Sequence, residues 1–108
     1  MPLEISPRDL AMHLENGRAI RLLDVRQPWE AQQAQLANSQ FIPLNELPAR
    51  AGEVPSDAET LLVVYCHHGV RSLSAVHFLR QLGHTQACSL AGGIDAWSCE
   101  VDPTLPRY

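Results

Sequence analysis

Lysine is missing from this sequence: all eight basic side chains among its 108 residues are arginines. Without an ε-amine the chain has no means of forming a Schiff base, holding pyridoxal phosphate or supplying a P-loop lysine. Cationic clusters are missing as well. Twelve acidic residues outweigh the scattered arginines and leave a formal charge of −4, which argues against a nucleic-acid partner. The three cysteines, Cys66, Cys88 and Cys99, form neither an even disulfide framework nor the paired Cys-x-x-Cys of a zinc site. They read as reduced thiols, and neither a metal nor an organic cofactor is expected. No run approaches the roughly 18 apolar residues of a membrane span. The opening MPLEISPRDL also lacks a basic and an apolar region of the secretory kind, so no membrane association and a cytoplasmic location are expected.

What is present is a 45% apolar share, enough at this length for one domain, residues 1–108, with its own core and no staple. Ser6 to Gly17 reads as a helix capped by Ser6, with Pro7 in its first turn and Gly17 as its stop. Pro7, Leu10, Ala11 and Leu14 fall on one face. Ala19 to Val25 reads as a strand that delivers Asp24 and Arg26 to a polar turn, and Pro28 to Leu36 as a helix. Phe41-Ile42 is a short apolar piece, followed by a loop-rich middle punctuated by Pro43, Pro48 and Pro55.

Leu61 to Tyr65 is continuously apolar, the pattern of a strand buried on both faces of a parallel sheet. Ala75, Phe78, Leu79 and Leu82 then repeat at helical spacing, predicting a helix from about Ser72 to Gly83. A strand over Gln86 to Leu90 and a glycine turn, Gly92-Gly93, opening onto a short helix complete the series. A Pro-containing tail runs to Tyr108. Strands alternating with helices indicate an α/β domain with helices on both faces of a parallel sheet. Ligands of such sheets sit at the carboxyl ends of the strands, which here means the loop after Tyr65.

That loop reads Cys66-His67-His68-Gly69-Val70-Arg71-Ser72. A cysteine between a buried strand and a helix start meets free amides and the positive end of the helix dipole, both of which favour a thiolate. Gly69 can adopt backbone angles closed to other residues, letting successive N–H groups turn inward as an anion-binding nest. Arg71 can add charge or brace the loop. The competing reading is a buried structural thiol, since cysteine is among the most buried residue types. The order strand, cysteine, polar loop, helix favours the chemical reading. Adjacent histidines point in different directions and no third ligand lies near in sequence, so His67 and His68 are read as tuning polarity rather than binding metal.

These residues resemble a known family. Leu23-Asp24-Val25-Arg26 with Pro28-Trp29-Glu30, the loop Tyr65 to Ser72, and Ala91-Gly92-Gly93-Ile94-Asp95-Ala96-Trp97, in that order, look like a single-domain rhodanese, a sulfurtransferase that carries sulfur as a cysteine persulfide. The resemblance covers about residues 5–97 and leaves 98–108 as a tail. It implies a small five-stranded parallel sheet, Cys66 as sulfur acceptor, and the amides of His67, His68, Gly69, Val70 and Arg71 as the persulfide cradle. Asp24, Arg26, Arg71 and Ser72 are implied as a supporting polar network, with guanidinium as the cation beside the sulfur. Where many members read Gly-His-Ile-Pro-Gly-Ala, this chain has Ala34-Gln35-Leu36-Ala37-Asn38-Ser39, with Asn38 able to hold a left-handed turn.

The implied reaction moves sulfur from thiosulfate or a related donor to cyanide, a thiol or a sulfur-relay protein. Two rivals remain open: a non-enzymatic sulfur carrier or sensor acting through a partner, and a cysteine-based phosphatase or arsenate reductase. The phosphatase loop spaces cysteine and arginine by five residues, whereas four separate Cys66 from Arg71. Cys88 and Cys99 are candidates for a resolving thiol, against a plain core or surface role.

Overall fold

Leu61–Tyr65 forms the central strand of the protein, β4, and every one of its five residues is buried. In the computed structural model, which describes residues 2–108, it is flanked in parallel by β2 (Ile20–Asp24) and β5 (Ala87–Leu90). Its side chains alternate between two cores. Leu62 and Val64, followed by Cys66, enter one, while Leu61, Val63 and Tyr65 enter the other. An uninterrupted apolar run is what a strand between two helix layers requires.

The edges are short: β1 (Glu4–Ile5) pairs with β5, and β3 (Gln40–Phe41) with β2, giving the order β1-β5-β4-β2-β3 with all pairings parallel. Two-residue edges offer little template for unwanted pairing. One face is covered by α1 (Pro7–Glu15) and α5 (Gly93–Glu100), which contribute Leu10 and Ile94 to the core with Tyr65. The other is covered by α4 (Val70–Gln81) and by α3 (Leu47–Arg50), which lies between single 3-10 turns at Leu44–Glu46 and Ala51–Glu53. Between β2 and β3 lies α2 (Pro28–Gln33). Among the described residues no helix is long and apolar enough to cross a membrane.

The Ser6 cap forms as expected, its hydroxyl accepting the Asp9 amide at 3.1 Å. The apolar face of α1 is narrower than its spacing suggests: Pro7 and Leu10 are buried, whereas Leu14 is 43% exposed because the helix covers only part of the sheet. Two boundaries move for reasons that matter to function. Instead of running to Leu36, α2 stops at Gln33; Ala34 turns extended so that its carbonyl can accept Arg26 Nη2 at 2.6 Å, and the Leu36 amide reaches the Tyr65 hydroxyl at 3.2 Å. Helix α4 begins at Val70, not Ser72, because Gly69 enters the left-handed region at φ 100° and starts the helix directly.

Candidate active site

The early start of α4 places Arg71 and Ser72 in its first turn, leaving a tight loop between the end of β4 and the helix. Cys66 stands at the start of this loop, 1% exposed. Its Sγ accepts N–H bonds from Gly69 at 3.1 Å and Ser72 at 3.3 Å, and lies 3.4 Å from Ser72 Oγ. Donors of this kind favour negative charge on the sulfur. Val70 and Arg71, as the first two helical residues, have N–H groups with no acceptor within the helix.

The direction of the loop's first two peptide groups is set by α5. Its first amides, Ile94 N and Asp95 N, donate to the carbonyls of Cys66 and His67 at 2.9 and 3.1 Å. With the carbonyls held on that side, the N–H groups of the same peptide planes face the other way. Gly93 makes this approach possible: at φ 65°, a Cβ there would lie 2.3 Å from the His67 carbonyl oxygen and 2.6 Å from that of Cys66.

Charged groups form a connected row beside the loop. The Arg71 guanidinium binds Glu30 through both oxygens, at 2.5 and 2.8 Å, so its fork is taken up by a carboxylate rather than by the sulfur. Hydrogen bonding from Arg71, against the opposing effect of burial, holds the Glu30 carboxyl down at about 2. The Tyr108 hydroxyl donates to Glu30 Oε2 at 2.8 Å and accepts from Arg26 Nη1 at 3.0 Å. Arg26 is fully buried and makes a two-point bond to Asp24, at 2.9 and 2.8 Å, while Asp24 also accepts the Arg26 amide. Asp24, Arg26 and Arg71 thus belong to one network, with Glu30 and Tyr108 as the connecting members.

Aromatic rings line the same side. The Tyr108 ring stacks on His67 at 4.0 Å between centroids, His67 stacks on His68 at 3.9 Å, and Trp29 meets Tyr108 edge-on at 5.8 Å. Burial, aided by the neighbouring His68, lowers His67 below the ordinary histidine value, so it stacks as a neutral ring near pH 7. Its Nε2 is buried with no hydrogen-bond partner among the described residues. The side chains of His68 and Val70 are solvent-exposed, with Val70 at 79%. Ser72 and Ser89 are both fully buried, and their hydroxyls are 2.7 Å apart.

The other two thiols stand elsewhere. Cys88 packs into the core on the opposite face of the sheet from Cys66, and burial pushes its thiol up to about 11. Cys99 is exposed on α5. The stretch after Trp97, read from the sequence as a tail, brings Tyr108 to the site and anchors itself through Ser98 Oγ to the Leu105 carbonyl at 2.6 Å and Arg107 to Asp95 at 2.8 Å.

Glu30, Ser89 and Tyr108 are not among the residues that the sequence singles out. Glu30 lies within the motif Pro28-Trp29-Glu30, and Ser89 is a hydroxyl within the strand segment Gln86 to Leu90. Tyr108 carries no local signal.

The Rhodanese-like domain family profile matches residues 6–100. A sulfurtransferase of Allochromatium vinosum is 34% identical over 95 residues, covering 88% of this chain and 87% of that protein. A probable adenylyltransferase/sulfurtransferase, MoeZ of Mycobacterium tuberculosis, is 34% identical over 104 residues; the match takes in 96% of this chain but only 26% of that longer protein. Among solved structures, the rhodanese-related protein of Thermoplasma volcanium superposes with a TM-score of 0.82 at 35% identity, covering 93% of this chain and 94% of that one. The human single-domain sulfurtransferase TSTD1 gives 0.80 at 30% identity, covering 93% and 98%.

Proposed function

This chain belongs to the rhodanese-like family of sulfurtransferases, and from that premise we propose that it moves sulfane sulfur from thiosulfate or a related donor through a persulfide on Cys66. The observation that carries the reading is the sulfur's setting: two backbone amides and a hydroxyl surround Sγ at the start of a helix.

The Cys66 thiolate attacks the outer sulfur of thiosulfate, a new S–S bond forms, and the S–S bond of the donor breaks with its electron pair leaving on sulfite. One negative charge remains, now on the outer sulfur of the persulfide. The first-turn amides of Val70 and Arg71 supply donors for that charge where the helix dipole already favours it. In the second half, a thiol acceptor, cyanide or a cysteine of a relay protein attacks the outer sulfur and the Cys66 thiolate departs. The paired Arg71 and Glu30 contribute little net charge, so anion stabilisation rests on the backbone.

Incubation with thiosulfate followed by intact-protein mass spectrometry tests this. The protein should gain the mass of one sulfur atom and lose it on adding cyanide or a thiol, and Cys66→Ser should gain none. No gain in the parent, or an equal gain in the variant, overturns the reading.

A further inference from the structure

The hydroxyls of the fully buried pair Ser72 and Ser89 give up no atom in the reaction as written, yet Ser72 Oγ sits between the reactive sulfur, at 3.4 Å, and Ser89 Oγ, at 2.7 Å. Ser72 lies in the first turn of α4 and Ser89 on β5, so two different elements converge to make the contact. A hydroxyl inside a protein needs partners, and each of these finds one in the other. A hydroxyl is also both donor and acceptor, and its proton rotates to suit its surroundings. We propose that Ser72 and Ser89 are positioning residues, a two-hydroxyl chain whose direction follows the charge on Cys66.

When the sulfur is a thiolate, Ser72 O–H points at Sγ and accepts from Ser89 O–H. When Sγ is a thiol, its S–H can point at Ser72 Oγ, and the Ser72 proton turns toward Ser89. No hydroxyl proton is transferred in the change: the thiol proton leaves to water, and the two hydroxyls rotate. The chain therefore adds a third donor to the two backbone amides only when the charge is on Sγ. In the persulfide the charge sits on the outer sulfur, so the same chain favours the state in which Cys66 departs as a thiolate. That last step rests on the persulfide reading; the response of the free cysteine does not.

Ser72→Ala removes the hydroxyl but keeps the amide that bonds Sγ, so it isolates the side chain. The test uses sulfur-free protein in a Cys99→Ser background, which removes the exposed thiol, and reads ultraviolet thiolate absorbance and the rate of iodoacetamide alkylation. Ser72→Ala should lower the thiolate-to-thiol ratio about tenfold, the effect of one hydrogen bond to a charged group. Ser89→Ala should lower it about two- to threefold, by withdrawing the bond that polarises Ser72. In the Ser72→Ala background the second substitution should change nothing, and Ser89→Thr, which keeps the hydroxyl, should match the parent. An equal Ser89→Ala effect in both backgrounds, a Ser89→Thr loss as large as that of Ser89→Ala, or an unchanged ratio in Ser72→Ala overturns the proposal. Because no sulfur donor is present, these outcomes are separate from whether Cys66 takes up sulfur from thiosulfate.

Discussion

Replacing Glu30 by glutamine keeps the shape of the side chain and removes its charge. The carboxyl is 3% exposed and held at about 2, down from 4.5, first by hydrogen bonds from Arg71 and then, against the effect of burial, by the Gln27 amide and Tyr108. A shift of that size corresponds to roughly 3 kcal/mol. Arg71 is 34% exposed, so solvent screens part of the pairing, and about 2 kcal/mol is the expected cost of the substitution near neutrality. For a chain of this length that is a fall in Tm of about 8–10 °C. The sign is fixed by the direction of the shift. A carboxyl depressed on folding stabilises the native state fully above its unfolded value and loses that contribution as pH falls toward the folded one. Urea unfolding of both proteins should therefore show a gap of about 2 kcal/mol near pH 7 that shrinks below about 1 kcal/mol near pH 3. A gap that is the same at both pH values, or absent near neutrality, would refute the assignment of Glu30 as the charged centre of the network.

Three further outcomes follow from the same geometry. Gly93→Ala forces a Cβ onto two loop carbonyls, and should cost about 2 kcal/mol or more in urea unfolding and abolish sulfur uptake by mass spectrometry. Asp24→Asn leaves the Arg26 guanidinium fully buried beside a neutral partner, an expected loss of about 3–5 kcal/mol that circular dichroism melting will register. Tyr108→Phe removes the bonds to Glu30 and Arg26 at a cost of about 1–2 kcal/mol. Burial pushes the parent's phenol up to about 12, so its tyrosinate absorbance should not emerge before about pH 11.

The fold is legible in the amino-acid sequence where a local pattern and a tertiary role coincide. Leu61 to Tyr65 announced itself because a strand buried on both faces has no polar positions, and the cysteine at its end marked the site. Helix α4 starts two residues before its hydrophobic period suggests because Gly69 acts through a left-handed backbone that has no such period. The strand Glu4–Ile5 was invisible as a pattern, since two residues carry no alternation and its pairing partner lies far along the chain. The charge network was half legible. Asp24, Arg26 and Arg71 stood in recognisable motifs, but that Arg71 would be met by Glu30, and that Tyr108 would close the row, depends on contacts between distant segments.

The grip of α5 on the loop carbonyls separates two properties that usually travel together. The carbonyls of Cys66 and His67 are fixed from the far side by the amides of Ile94 and Asp95, and the amides on Sγ come from Gly69 and Ser72, whereas the side chain of Val70 points to solvent at 79% exposure. At Val70 the outer surface of the loop can thus be rewritten without disturbing the groups that steady the sulfur. Exchanging Val70 for other side chains is a route to altered acceptor preference at constant sulfur reactivity, while the glycine turn beneath is the part that must be left alone.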